Sequence, residues 1–413
     1  MTVEIMAEEP EFDIVNHTVE TDDSHSDDEH FNNVADCGSI PVWQDKDDEM
    51  EITPFVPLIH GKDSDDEEFD SDYEVHVKRT RLLDKNSKLI NKNRILIKRL
   101  NYANIERPAR AEISSVDFNK KFELLLNSSI DTSLSVFKVD RKQCELLKDF
   151  VFERFPIHNA KFLNCGEKIF MTSEESPYFR IFNLETNTES RSSKILENNE
   201  KITSFAMPSR SKNQVAIGSS DGKVILIDLR TLDKTSVLYS SGSTRCLAFS
   251  DDDQLLASGT DSGEVFIYSN GKISSRWRDH GNRKEITSLS FSPNSRWISC
   301  GSYSGIVNIY NYVDTCNIDS PIPTKVCDQL KQSVNCTVFS NDSNNLFISS
   351  KMDKASYRLI NIDQMTAYEN FPIMKGLEET VTCCAFSPNN SYMNLGLKSG
   401  KSIMYSLEKY KNY

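Results

Sequence analysis

The feature that most constrains the fold is a pattern that recurs seven times along the chain. Each copy has an apolar strand ending in a large residue, a turn rich in Ser, Pro, Asn and Asp, a second strand, a turn of small residues, and a third strand. The spacing between copies, 42 to 48 residues, is close to the roughly 40–45 residues of a four-stranded propeller blade. The large residues that end the first strands are Phe118, Phe162, Met207, Phe249, Phe291, Phe339 and Phe386.

A second set of large residues keeps the same phase. Segments such as residues 224–227 and 306–310 are short and rich in β-branched and aromatic residues, which favours strands over helices. Asp and Gly in the intervening turns, as in residues 220–222, suit tight reversals. The sequence therefore predicts an all-β, seven-bladed WD40 β-propeller across residues 111–413. The second set lies 19 to 21 positions after the first and comprises Phe137, Phe182, Ile227, Tyr268, Tyr310, Ile360 and Tyr405.

The seventh copy has three strands and leaves few residues for a fourth. A closed ring then needs an outer strand from the N-terminal side of the first copy. Residues 94–100 have a β-like apolar centre and lie just before that copy. We therefore expect them to close the ring and to hold the surrounding basic segment at its rim.

Charge is segregated along the chain, whose formal net charge is −14. Residues 1–77 hold 25 acidic residues against two basic ones, and residues 78–110 hold 11 basic against two acidic. A segment so charged and so poor in aliphatic residues buries too little apolar surface to fold alone. We predict a disordered acidic arm at 1–77, a basic neck at 78–110 and the propeller beyond.

The arm carries two kinds of candidate site. Apolar islands in the acidic sequence, at Trp43 and around Phe55 and Leu58, are candidate docking peptides. Serines near acidic residues suit acid-directed kinases, and these phosphorylation candidates are Ser24, Ser26, Ser64 and Ser71.

The basic neck is a candidate nucleic-acid contact, since clustered Lys and Arg attract phosphates or act as a nuclear-import signal. The alternative is a solvated charged linker. The candidate RNA-contacting residues are Lys78, Arg79, Arg81, Lys98 and Arg99.

The groups that catalysis commonly requires are scarce in the propeller. Its histidines are His158 and His280, whereas general acid–base catalysis uses His most often. The ten cysteines show no CxxC spacing, which favours buried thiols over a zinc site. No apolar run reaches the roughly 18–20 residues that span a bilayer. The sequence predicts a non-enzymatic scaffold without cofactor, metal, membrane or small-molecule substrate.

Two short motifs offer other interpretations. Residues 227–230 (Ile-Asp-Leu-Arg) resemble the Trp-Asp-x-Arg signature of WD40 substrate receptors in cullin-type ubiquitin ligases, or form an ordinary blade end with an exposed Arg230. Residues 136–140 look like a helicase-docking peptide, but Phe137 is predicted to be buried. No copy carries a Trp-Asp dipeptide, so we expect the polar network of consensus blades to be absent and apolar packing to stabilise the blades.

Short segments through most of the chain share a likeness with one group of proteins. They are residues 103–108, 113–116, 137–140, 153–157, 301–302, 305–311, 350–352, 358–360, 370–372, 386–388, 400–401 and 404–405, with Trp43 and its acidic neighbours in the arm. In these segments the sequence resembles the U3 small nucleolar RNA-associated protein 18 family of WD40 proteins. This resemblance implies a nucleolar subunit of the small-subunit processome. Its partners would be processome proteins, U3 small nucleolar RNA and pre-ribosomal RNA, and its role would be the maturation of 18S ribosomal RNA.

Overall fold

A computed structural model describes residues 93–140, 144–196, 200–210, 213–282, 284–316, 318–373 and 379–407. The described residues form seven antiparallel sheets of four strands each. First strands of successive sheets pack side by side, except between the second and third sheets, which instead share a buried apolar cluster. The first strand of the last sheet contacts that of the first sheet. The sheets therefore close into a ring, and the predicted seven-bladed β-propeller is confirmed.

Six blades follow the chain in strand order, and the seventh takes its outer strand from upstream. The first blade is β2 (Ile113–Phe118), β3 (Leu124–Ser129), β4 (Ser133–Val139) and β5 (Cys144–Val151); the second is β6 (Asn159–Phe162), β7 (Lys168–Thr172), β8 (Arg180–Asn183) and β9 (Thr188–Arg191); the third is β10 (Ile202–Ala206), β11 (Gln214–Ser219), β12 (Lys223–Asp228) and β13 (Lys234–Tyr239); the fourth is β14 (Thr244–Phe249), β15 (Leu255–Thr260), β16 (Glu264–Ser269) and β17 (Lys272–Arg278); the fifth is β18 (Ile286–Phe291), β19 (Trp297–Ser302), β20 (Val307–Asn311) and β21 (Lys325–Cys327); the sixth is β22 (Val334–Phe339), β23 (Asn345–Ser350), β24 (Tyr357–Asn361) and β25 (Thr366–Ala367); the seventh is β26 (Val381–Phe386), β27 (Tyr392–Leu397), β28 (Ser402–Leu407) and β1 (Ile97–Tyr102). A short helix, α1 (Tyr312–Thr315), follows β20.

The two sets of large residues stay in phase because they face each other across the middle strand. In the first blade Leu125 lies opposite Phe118 on one side and Phe137 on the other, and it is fully buried. Five of the other six blades repeat this row, and the third is the exception. Met207 alone lies outside its strand, because β10 ends one residue earlier at Ala206.

The strand predicted at residues 94–100 is β1, which begins at Ile97 and pairs antiparallel with β28. The three residues before Ile97 do not join the ladder. The backbone N–H of Ile95 donates to Asn370 Oδ1 (3.1 Å), and Asn370 Nδ2 donates to the Ile95 carbonyl (2.7 Å). A side-chain amide thus takes the place of a strand partner, which delays the start of the strand.

Hydrogen bonds join neighbouring blades where the first strands begin. In six sheets the register between first and second strands shifts by one residue at this point. Two of the residues skipped at these shifts, Thr203 and Thr382, donate through Oγ1 to carbonyls of the next blade, those of Thr244 and Ile113, both at 2.5 Å. The second of these bonds links the seventh blade to the first.

The fifth blade carries a polar network that the sequence analysis did not foresee. Buried Asp279 accepts hydrogen bonds through Oδ1 from Tyr310 Oη (2.6 Å) and Asn308 Nδ2 (2.9 Å). Tyr310 Oη also accepts the backbone N–H of His280 (2.8 Å). Tyr310 stands where a consensus blade has Trp, so in this blade the expectation that a polar network is absent is wrong.

Candidate nucleic-acid interface at the ring closure

The closing strand β1 carries the two described members of the predicted RNA-contacting set. Lys98 is exposed, and its ammonium has no partner among the residues that the structure describes. Arg99 is half-buried; its Nη2 donates to Tyr102 Oη (3.3 Å), and its guanidinium carbon lies 5.6 Å from the centre of the Tyr102 ring. Arg99 therefore packs within the closing strand, while Lys98 projects to the surface.

The other predicted site residues lie outside the described residues and stay predictions. They are the neck residues Lys78, Arg79 and Arg81, the docking candidates Trp43, Phe55 and Leu58, and the phosphorylation candidates Ser24, Ser26, Ser64 and Ser71.

Residues 103–110, which we call the strap, cross from the seventh blade to the first. The backbone N–H of Ala103 donates to the Ser402 carbonyl (2.8 Å). Buried Asn104 donates through Nδ2 to the Gly400 carbonyl and accepts the Ser402 N–H, both at 2.8 Å. The N–H of Ala109 donates to the Gly400 carbonyl (3.0 Å). The strap thus holds the chain entering the first blade against the last hairpin of the ring.

The same strap contacts the outer strand of the first blade. Glu106 accepts the backbone N–H of Leu146 (3.1 Å), and Arg107 Nε forms an ion pair with Asp149 (2.8 Å). These contacts occupy part of an edge strand whose backbone groups would otherwise be open to other chains. The segment 103–108 of the family resemblance therefore has a structural role at the closure.

A groove of about 760 Å³ lies between the closing strand and the first blade, and we call it the closure groove. Lys98 and Leu100, two positions apart and so on one face of β1, form one wall. Lys121 and Phe122, in the turn after β2, form the other. Sequence reasoning missed this turn, although it is the one turn after a first strand, within the described residues, that contains adjacent lysines.

A separate cavity of about 760 Å³ lies at the end of the central channel where the first strands begin. Its charges are mixed: Arg245 pairs with Glu285 (3.1 Å), and His158 Nε2 lies 4.0 Å from Glu174. His280 is exposed in a loop between the fourth and fifth blades, far along the chain from His158. This cavity offers a surface of both signs.

The described ranges contain neither a cluster of metal-binding side chains nor a helix suited to crossing a membrane. No group of three or more His, Cys, Asp or Glu side chains there is placed to hold a metal ion. No helix within those ranges combines the length and apolarity needed to cross a bilayer.

The described cysteines are free thiols, buried or half-buried. Burial raises the pKa of Cys246 and of Cys383 to about 12 and that of Cys336 to about 11. Because the thiolate is the form that reacts and binds metals, these side chains act as packing residues.

The two short motifs form blade ends. Arg230 is exposed in the turn after β12, and its backbone N–H donates to Asp228 Oδ1 (2.9 Å). Phe137 is fully buried in the first blade, as predicted, so residues 136–140 do not present it for docking.

The comparisons with known proteins agree with the fold. A family model described as "WD domain, G-beta repeat" matches residues 233–269 and 271–311, which cover strands of the third, fourth and fifth blades. The protein is therefore a WD40-repeat β-propeller.

Its relatives share one name. A U3 small nucleolar RNA-associated protein 18 homolog of Arabidopsis thaliana is 28% identical over 369 residues, 87% of this chain and 66% of the relative. The Homo sapiens homolog is 28% identical over 77% of this chain and 57% of its own length. The Saccharomyces cerevisiae protein of that name is 25% identical over 79% of this chain and 62% of its own length. The chain is similar to these U3 small nucleolar RNA-associated protein 18 homologs over most of its propeller, and it spans about three fifths of the length of the curated relatives that it matches.

Proposed function

We propose that this protein is a non-enzymatic scaffold subunit of the small-subunit processome. In this role it binds processome proteins and U3 small nucleolar or pre-ribosomal RNA in the nucleolus and supports maturation of 18S ribosomal RNA. The observation that carries the proposal is the similarity to proteins named for U3 small nucleolar RNA, which extends over most of the propeller. A closed ring of seven blades suits a scaffold because it offers many surfaces on one rigid body.

The proposal assigns separate roles along the chain. The basic neck, with Lys78, Arg79, Arg81 and Lys98, contacts RNA phosphates, and Arg99 adds charge from within the closing strand. Phosphate contacts of this kind position a protein on RNA without reading its sequence. The acidic arm recruits partners through its apolar islands at Trp43, Phe55 and Leu58.

The test is purification of the full-length chain from cells, followed by measurement of the RNA that accompanies it. We expect U3 small nucleolar RNA and 18S precursors to be enriched together with processome proteins. Recovery of a cullin and its adaptor instead would contradict the proposal and support the ligase-receptor alternative. Depletion of the protein should also cause 18S precursors to accumulate.

A charge-reversal variant tests the neck. Changing Lys78, Arg79, Arg81 and Lys98 to Glu should reduce the recovered RNA and the nucleolar fraction of the protein. Lys234→Glu is the matched control, because Lys234 is exposed on β13 in the third blade. Equal recovery with both variants would refute the assignment of RNA contacts to the neck.

A further inference from the structure

The closure groove combines cationic and aromatic groups that the fold holds in place. Lys98 projects from one wall and Lys121 from the other, and neither ammonium has a partner among the described residues. Phe122 lies beside Lys121 with 49% of its surface exposed, unlike most phenylalanines of the ring. A half-exposed aromatic ring beside unpaired cations is the combination that proteins use to bind single-stranded nucleic acid.

The turn that presents Phe122 is built rather than loose. Asn119 Oδ1 accepts the backbone N–H groups of Lys121 (2.9 Å) and Phe122 (3.3 Å), while its Nδ2 donates to the Gly166 carbonyl of the second blade (2.7 Å). The Phe122 ring rests against Gly166: its Cδ2 lies 3.2 Å from where a Cβ on that glycine would stand. The second blade thus packs against one part of the Phe122 side chain and leaves the remainder exposed to solvent.

We propose that the closure groove binds a nucleotide of single-stranded RNA. Lys98 and Lys121 contact its phosphates, and the base stacks on Phe122. An exposed ring beside a cationic track is the usual arrangement for single-stranded nucleic acid, and in a duplex the face of the base would be hidden. The proposal deepens the proposed function, on which the identity of the cellular RNA rests.

An acidic residue of the groove favours RNA over an acidic peptide. Glu123 lies on the wall formed by the first blade. Its carboxylate can accept a hydrogen bond from a base N–H, such as N3–H of uracil, whereas an acidic side chain offers no such donor. A third lysine, Lys120, is already engaged with the Ser209 carbonyl (2.9 Å) and is left out of the site.

The experiment measures binding of a short, labelled oligouridylate to the purified full-length chain by fluorescence anisotropy, between about 50 and 200 mM salt. Removing both lysines (Lys98→Ala, Lys121→Ala) should lower the slope of log affinity against log salt by about 1.4, at about 0.7 per lost phosphate contact. Phe122→Ala should weaken binding about fivefold or more with the slope unchanged, and Phe122→Trp should restore binding.

Lys234→Ala is the control and should leave affinity and slope as in the wild type. Equal binding by the groove variants and this control would overturn the proposal. The proposal would also be overturned if an acidic, aromatic peptide bound the closure groove more tightly than the oligouridylate does. Because the assay uses naked RNA, it is separate from recovery of U3 particles: failure of one leaves the other standing.

Discussion

Gly301→Ala tests how the blades approach each other. Gly301, in the second strand of the fifth blade, lies opposite Ser288 and against Val334, the first residue of β22 in the sixth blade. A Cβ at this glycine would come closest to Ser288 Oγ on the neighbouring strand, and it would stand 2.7 Å from Val334 Cγ1 and 3.0 Å from Val334 Cβ in the next blade. Equivalent glycines in three other blades, Gly218, Gly259 and Gly396, meet the next blade in the same way. Glycine at this position therefore allows neighbouring blades to approach each other closely.

The size of the effect follows from this geometry. Val334 is fully buried, and its β-branched side chain is restricted at χ1, so Cγ1 cannot rotate away easily and Cβ moves only with the backbone. Overpacking of this kind typically costs about 1–3 kcal/mol. Replacing Gly by Ala also lowers the entropy of the unfolded chain, which offsets about 0.4–1 kcal/mol. We expect a net loss of about 1–2 kcal/mol in the free energy of unfolding, or a few degrees in melting temperature.

Urea and thermal unfolding of the wild type and variant measure the loss, and a double-mutant cycle assigns its cause. Val334→Ala removes Cγ1, so the combined variant should lose less than the sum of the two single changes, by about 0.5 kcal/mol or more. Ser349→Ala is the matched control, since Ser349 holds the equivalent place in the sixth blade and already has a Cβ there. A Gly301→Ala protein as stable as the wild type, or strict additivity in the cycle, would refute the steric argument.

Three further predictions concern buried titratable groups. Burial raises the pKa of Asp279 above its ordinary 3.8 despite hydrogen bonds from Asn308 and Tyr310, so its contribution to stability falls as pH rises through the folded pKa. Asp279→Asn should gain stability relative to the wild type from about pH 4 upward, and a pH-independent difference in urea unfolding would contradict this. For Glu264, burial alone would raise the pKa, but hydrogen bonds from Arg276 and Ser241 outweigh it and hold the pKa below 4.5. The ionised Glu264 carboxylate therefore stabilises the fold, and this contribution is lost as pH falls through the folded pKa. Glu264→Gln should lower the free energy of unfolding by about 1 kcal/mol at neutral pH and have no effect in acid. Native Cys246 should resist iodoacetamide at about pH 8, with mass spectrometry showing labelling only after unfolding, because its pKa is about 12.

The repeat could be read from the sequence because its anchors are local. Phe118 and Phe137 are 19 residues apart and meet across Leu125, so one hairpin pair sets their spacing in each blade. Closure could be predicted as well, since a three-stranded last copy requires a strand from elsewhere. The predicted start of that strand was three residues too early, because Ile95 bonds to Asn370, 275 positions away.

The closure groove could not be predicted for the same reason. In the sequence Phe122 sits in a turn like any other, and its exposure depends on Gly166, which comes from the next blade. The separation of Lys98 from Lys121 along the chain hides their shared groove. The Asp279 network likewise joins residues about 30 positions apart without a Trp-Asp dipeptide to signal it. Contacts between blades carry these features, and strand periodicity does not encode them.

The groove also ties RNA binding to the integrity of the ring. One wall is β1, which is held by pairing with β28 about 300 positions away, and the other is the first blade. Pairing over such a distance carries an entropic cost of loop closure that grows slowly with loop length, so opening at this joint breaks the least local pairing of the ring. An RNA that binds both walls binds only the closed ring, and mass action then stabilises closure in proportion to the logarithm of RNA concentration over its dissociation constant. Protection of the β1 amides from hydrogen exchange should therefore rise when the oligouridylate is added to the wild type, and rise less in Phe122→Ala at the same RNA concentration.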